Sequence, residues 1–225
     1  QEWSSLDLKF GALPFIYVPL VSSTIALLLA LPIGLAVAIV TSENFLPPSV
    51  RSPLAFVVEL IAAIPSVIIG LWGIFVLIPF LLPLQAWLFQ NFQQIPLFST
   101  EPFGPGMLVA GVILAIMILP TIAAISREVL LAVPSELRSA SMALGATRWE
   151  TIFRVLLPAS VSGILGAAIL GLGRALGETM AVTMVIGNSA QISPSLLNLA
   201  YTIPAVLANE FAEALEALHI GALMY

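Results

Sequence analysis

Long apolar runs alternate with short polar connections along the chain, and the runs predict its elements. Pro14 to Val40 reads as a first membrane span, with Pro19, Pro32 and Gly34 as kinks that neighbouring helices must accommodate. Leu54 to Leu82 reads as a second span interrupted by Glu59 and Pro65, Gly106 to Ser126 as a third, and Pro158 to Ile186 as a fourth. These runs meet the length of about 20 apolar residues that a spanning helix needs. Glu210 to Tyr225 looks like the start of a fifth span cut short. Residues 1–13 are polar with Trp3, Phe10 and Gly11, which suits a segment lying at the headgroup level. In the connection 83–105, Gln85 to Phe98 places Trp87, Phe89 and Phe92 among glutamines and reads as an interfacial helix.

The longest polar interruption, Arg127 to Leu157, carries Arg127, Arg138, Arg148 and Arg154, four of the seven cations, interleaved with Glu128, Glu136 and Glu150. Leu137, Met142, Leu144, Trp149, Ile152 and Phe153 keep a rough helical spacing around Gly145. The pattern predicts two short amphipathic helices joined at that glycine. Pro158 is then expected in the first turn of the next run, where a missing N–H costs little. Such a mixed-charge platform suits a docking surface for a cytoplasmic partner; the bland alternative is an ordinary solvated loop.

Composition narrows the class. Sixty per cent hydrophobic and 8% charged residues, with mean hydropathy +1.11, exclude a soluble globular domain, in which about 25% of residues are charged. The expected fold class is all-α, a polytopic transmembrane helical bundle. The net charge of −5 lies almost wholly in the connections and says nothing of partners, and no nucleic-acid partner is expected. Without cysteine, disulfides and thiolate metal sites are excluded, and with His219 as the single histidine no metal site is expected. The chain opens on Gln1, as a piece of a longer chain does. Arg51 and the platform arginines fall in the two connections on one side, and the opposite connections 83–105 and 187–209 hold no cation. The positive-inside rule makes the arginine side cytoplasmic.

Candidate chemistry concentrates in Gly171 to Asn188, GLGRALGETMAVTMVIGN. On an unbroken helix Arg174 and Glu178, at i and i+4, share one face and can pair. Ionisable groups at membrane depth are costly and mark a pathway by default, the alternative being a structural ion pair. Thr179, Thr183 and Asn188 add hydroxyl and amide groups, and Gly173 and Gly177 permit close approach of a neighbouring helix. Glu59 either pairs with Arg51 or Arg127 or reaches the interface, and Pro65-Ser66 either opens a turn toward the pathway or is a packing kink. No nucleophile–base pair, glycine-rich phosphate loop or acidic metal cluster stands out, so neither enzymatic activity nor a cofactor in this chain is expected.

Two motifs resemble a known family. Gly145, nine residues, Val155, Leu157 and Pro158 are similar to the EAA loop of ABC importer permeases, with Ser139 at the Glu position, Ala140 matching and Ser141 in place of the second Ala. Gly171 to Thr179 resembles the signature of phosphate-specific ABC importer permeases, and Met180 to Asn188 resembles the C-type continuation. Glu59 to Gly70, Gly111 to Pro120 and Ala208 to Ala214 add further C-type similarity. The resemblance implies a bundle of the type I ABC importer permease kind with six spans, of which this chain would lack the first and most of the last. It implies that Ser139, Ala140, Gly145, Trp149, Leu157 and Pro158 couple to a cytoplasmic ATPase dimer, which would hold the ATP and Mg. It also implies an A-type permease partner and a periplasmic phosphate-binding protein that engages 1–13, 83–105 and 187–209. Inorganic phosphate would pass Arg174 and Glu178, with Thr179, Thr183, Asn188, Glu59 and Ser66 as further pathway candidates. The setting implied is the lipid of a bacterial or archaeal cytoplasmic (inner) membrane. A permease for molybdate or sulfate and an ATP-independent channel or secondary carrier are the alternatives.

Overall fold

A backbone in hydrocarbon has no water to bond, so spanning segments must satisfy their own N–H and C=O groups as helices. The computed structural model describes residues 3–4, 9–10, 13–43, 45–211, 221 and 223. Apart from a two-residue antiparallel pair, β1 (Trp3–Ser4) and β2 (Lys9–Phe10), its regular elements are helical. In order they are α1 (Leu13–Ser42), α2 (Pro48–Ala62), α3 (Ser66–Phe92), α4 (Met107–Ala132), α5 (Ser135–Ala143), α6 (Arg148–Leu176), α7 (Met180–Ile186) and α8 (Ile203–Glu210), with one 3₁₀ turn at Pro96–Phe98. Among the described residues α1, α3, α4 and α6 are long and apolar enough to cross a membrane. The architecture is the expected all-helical one.

Proline and glycine move several expected boundaries. The second run, read as one span over 54–82, breaks after Ala62 because a residue before proline, here Ile64 before Pro65, is pushed out of the helical region. The span-length helix instead starts at Ser66 and continues to Phe92, absorbing most of the stretch expected as an interfacial helix. The fourth run, read as a span over 158–186, starts ten residues earlier at Arg148 and stops at Leu176; Gly177 and the two following residues separate it from α7. Pro158 therefore sits inside a continuous helix rather than at its first turn. A wide π turn over Ile152–Leu156, closed by Leu157 N–H on the Ile152 carbonyl, precedes it. The same device occurs in α3: a π turn over Gly73–Leu77 is closed by Ile78 N–H on the Gly73 carbonyl, immediately before Pro79. In each case the wide turn accommodates the proline ring, which would otherwise meet a carbonyl of the preceding turn. The expected fifth span at 210–225 and the surface segment at 1–13 lie largely outside the described residues.

The chain divides into two compact units. The first comprises Gln1–Ala26, Ile64–Ala115 and Ala175–Tyr225. Within it Phe15 meets Tyr201 edge-on, with ring centroids 5.7 Å apart, over Ala205, Val206 and Leu223. Helix α3 lies close to α7: a Cβ on Gly70 would stand 3.1 Å from the Ala181 Cα. The N–H groups of Gly106, Met107 and Leu108, at the start of α4, donate to the carbonyls of Val185, Asn198 and Leu196 at 3.1, 3.3 and 2.9 Å. Donors that a helix start leaves without intrahelical partners are thus met by backbone.

The second unit comprises Leu27–Ala63 and Ile116–Arg174. Its core joins Ala38 and Ile39 of α1, Leu130 of α4, Val133, and Ile152 and Leu156 of α6. Close packing rests on glycines: Cβ atoms on Gly34 and Gly171 would stand 3.1 and 3.0 Å from Ile122 side-chain carbons.

These contacts set an order of tolerance. A Cβ on Gly106 would meet the Asn198 and Leu197 carbonyls at 2.9 and 3.1 Å, whereas one on Gly166 would meet nothing within 4 Å. Gly106→Ala is expected to destabilise the protein by about 1–3 kcal/mol, and Gly166→Ala to be neutral or stabilising by about 0.5–1 kcal/mol. Thermal unfolding of the purified variants in detergent reads the difference.

Candidate functional site

Both helix ends of the platform are written in local chemistry. At the C-terminus of α5, Gly145 N–H donates to the Met142 carbonyl at 3.0 Å and Ala146 N–H to the Ser141 carbonyl at 3.2 Å. This pair of bonds is a Schellman stop, and it requires the left-handed backbone that Gly145 adopts at φ 88°. Two residues on, Thr147 and Glu150 form a capping box: Thr147 N–H donates to Glu150 Oε2 at 2.8 Å and Glu150 N–H to Thr147 Oγ1 at 3.3 Å. The expected joint at Gly145 is present, but the second amphipathic helix is the opening of α6 rather than a separate element. Ser141 and Thr151 hydroxyls, 3.0 Å apart, pin α5 to α6.

The surface so built is apolar where a loop would be polar. Leu144 is 90% exposed, and Leu137, Met142, Trp149 and Phe153 are exposed with it. Trp149 stacks on Phe45 at 4.9 Å and on Phe153 at 6.0 Å. Ser139 donates to the Ser135 carbonyl at 3.2 Å, and Ala140 is exposed beside it. Leu157 turns inward onto the second unit's core, while Pro158 is exposed. Of the coupling candidates, Ser139, Ala140, Gly145 and Trp149 lie on this exposed surface and Leu157 supports it from below.

Arg138 was counted only as one platform cation by sequence reasoning, yet it holds the most bonds there. Its Nε and Nη2 donate to Glu43 Oε1 at 3.1 Å each, while Nη1 reaches the Val133 carbonyl and Nη2 the Leu130 carbonyl, both at 2.7 Å. Those carbonyls close the C-terminus of α4, where a cation suits the helix dipole. The available sequence signal was a cation just beyond the end of a long apolar helix.

The pathway candidates divide between the two units. In the second unit Arg174, near the end of α6, is exposed, and its Nη1 donates to Thr121 Oγ1 of α4 at 3.1 Å. Glu59 is exposed on α2 and lines a cavity of about 460 Å³ with Arg127, Glu128, Val37 and Val58; Arg127 is engaged by Glu128 at 3.0 Å. In the first unit Glu178 Oε1 accepts the Ala181 N–H at 3.2 Å, capping α7. Thr183 donates to the Thr179 carbonyl at 2.7 Å and Asn188 Nδ2 to the Thr183 carbonyl at 3.1 Å. Ser66 opens α3 directly after Pro65. Arg174 and Glu178 do not stand on one unbroken helix, because the helix stops at Leu176; Arg174 bonds Thr121 of α4 and Glu178 the Ala181 N–H. Among the described residues no group of three or more His, Cys, Asp or Glu is arranged to hold a metal.

The family described as "Binding-protein-dependent transport system inner membrane component" matches residues 30–222. The chain belongs to that family. Named relatives are similar over nearly all of it. The phosphate transport system permease protein PstC of Xylella fastidiosa is 45% identical over 220 residues, covering 96% of this chain and 68% of that protein. That of Mesorhizobium japonicum is 46% identical over 229 residues, covering 100% and 70%. A probable counterpart in Methanocaldococcus jannaschii is 38% identical over 221 residues, covering 96% and 69%. Solved structures of the MetNI methionine ABC transporter in inward-facing conformations match with TM-scores of 0.63 and 0.61. They are 19% and 20% identical, covering 99% and 95% of this chain and 89% and 85% of theirs. That likeness concerns the fold, which is of the type I ABC importer permease kind. This inner membrane component is a multi-pass transport subunit and not an enzyme, and its family fits work beside another permease, an ATPase and a binding protein.

The platform's joint is open to direct test. Thr147→Ala removes one arm of the capping box and is expected to cost about 1 kcal/mol. Hydrogen exchange at the Glu150 amide should quicken while α4 amides keep their protection.

Proposed function

We propose that this chain is a C-type permease subunit of an ATP-driven phosphate importer in a bacterial or archaeal cytoplasmic membrane. The observation that carries the reading is whole-chain identity of 45–46% to proteins named phosphate transport system permease proteins. The partners proposed are an A-type permease in a heterodimer, an ATPase dimer that holds the ATP and Mg, and a periplasmic phosphate-binding protein. The arginine-bearing connections face the cytoplasm, and 83–105 and 187–209 face the binding protein. ATP binding draws the ATPases together, and the exposed surface around Gly145 carries their movement into the membrane.

Arg174 is the residue proposed to meet phosphate. Its guanidinium fork matches a tetrahedral oxyanion, and the single bond from Nη1 to Thr121 leaves its other N–H donors for that purpose. The end of α6 sets its position. Glu178 acts through α7, whose first turn it caps, and Thr183 of that helix is bonded to Thr179 just before it and to Asn188 just beyond it.

Phosphate uptake by cells carrying the full-length subunit tests both ends of the mechanism, with membrane levels measured alongside. Arg174→Gln and Gly145→Asp are each expected to insert normally and to lower uptake by at least about tenfold. Loss with Gly145→Asp alone would make Arg174 a structural residue. Sulfate or molybdate competing as well as phosphate would overturn the anion assignment.

A further inference from the structure

Directly after α1, Glu43 and Phe45 are tied back by their own backbone. Glu43 N–H donates to the Ile39 carbonyl at 3.0 Å, and Phe45 N–H to the Glu43 carbonyl at 2.9 Å. Ile39 is itself buried in the second unit's core. From there Glu43 receives Arg138 of α5, and Phe45 stacks on Trp149 of α6 at 4.9 Å with the rings inclined by 25°. One short turn therefore grips both helices of the platform.

From this geometry we infer that Arg138 and Glu43 form the linkage through which platform movement reaches α1 and α4. The inference deepens the transport reading above and rests on it. Capping α4 needs only the bonds from Arg138 to the Leu130 and Val133 carbonyls. The two further bonds to Glu43 add nothing to that cap; what they add is a connection from α5 to the end of α1. The side chains of Arg138 and Glu43 are 22% and 20% exposed, so water competes weakly for the pair. Arginine suits the position because its planar fork serves three acceptors at the ends of two helices at once, which the single ammonium of lysine cannot match in geometry. Arg138 and Glu43 are positioning residues: neither carries the most exposed apolar surface, which Leu144 supplies.

The linkage makes a prediction that docking alone does not. The full complex, with its ATPase and loaded binding protein, is reconstituted in lipid vesicles, and phosphate entry and ATP hydrolysis are measured in the same vesicles. Glu43→Ala removes the arm from α5 to the end of α1 while leaving Arg138 on its carbonyls and Phe45 on Trp149. It should retain the ATPase subunit and hydrolyse ATP within about twofold of wild type, yet lose at least about fivefold in phosphate entered per ATP. Arg138→Lys should behave likewise, and Glu43→Gln, which keeps an acceptor oxygen, should retain most of the ratio. An unaltered ratio in Glu43→Ala overturns the linkage, as does loss of bound ATPase and of hydrolysis in step with uptake. Should the wild-type complex hydrolyse ATP and admit no phosphate, the phosphate assignment fails, and the same ratio taken with sulfate or molybdate decides the linkage.

Discussion

Every helix end leaves backbone donors or acceptors without intrahelical partners, and in a chain this apolar few side chains are available to meet them. The structure solves the problem differently at each end that matters. Carbonyls of Val185, Asn198 and Leu196 receive the first N–H groups of α4. The last carbonyls of that helix are closed by a guanidinium from the next one. The stop of α5 is backbone alone, made possible by a glycine, and α6 opens on a reciprocal pair of side chains. Arg138, Thr147 and Glu150 of the platform are engaged in helix termination, and its outward surface carries Leu144, Met142 and other exposed apolar side chains.

That economy explains what could be read in the sequence. The apolar runs announced span-length helices, and Gly145 was legible as a joint because a helix stop of this kind demands positive φ. Boundaries were less legible where a proline or glycine lay inside an apolar run: Pro65 ended a helix, Pro158 did not, and Gly177 did. Pro158 lies behind a wide turn, a backbone adjustment with no side-chain signature, and Pro120 lies inside α4 without one. The link between Arg138 and Glu43 spans 95 positions, beyond any local periodicity. Glu178 was read for its charge and spacing, whereas its carboxylate serves the short helix that follows it.

The platform and the membrane helices it serves are one piece of the fold. Within the second unit, the ends of α1 and α4, all of α5 and most of α6 share a core and a polar linkage. Ile152 and Leu156 belong to that core although they stand in a π turn, so the irregular segment is also a packed one. The same unit presents Arg174 near the other end of α6. A single length of helix therefore runs from the exposed surface at Trp149 to the cationic group proposed to meet the anion.

The wide turns carry one more consequence, for how these two helices are to be read. A π turn inserts one residue relative to regular winding, and each residue advances the helix face by about 100°. Beyond Leu156 in α6 and beyond Leu77 in α3, every side chain therefore faces a direction offset by that rotation from an uninterrupted helical wheel. A wheel drawn through residues 148–176 as one object misaligns the residues before the turn with those after it. The phase has to be restarted at each wide turn and not at each proline, since Pro53 and Pro120 lie inside α2 and α4 without one.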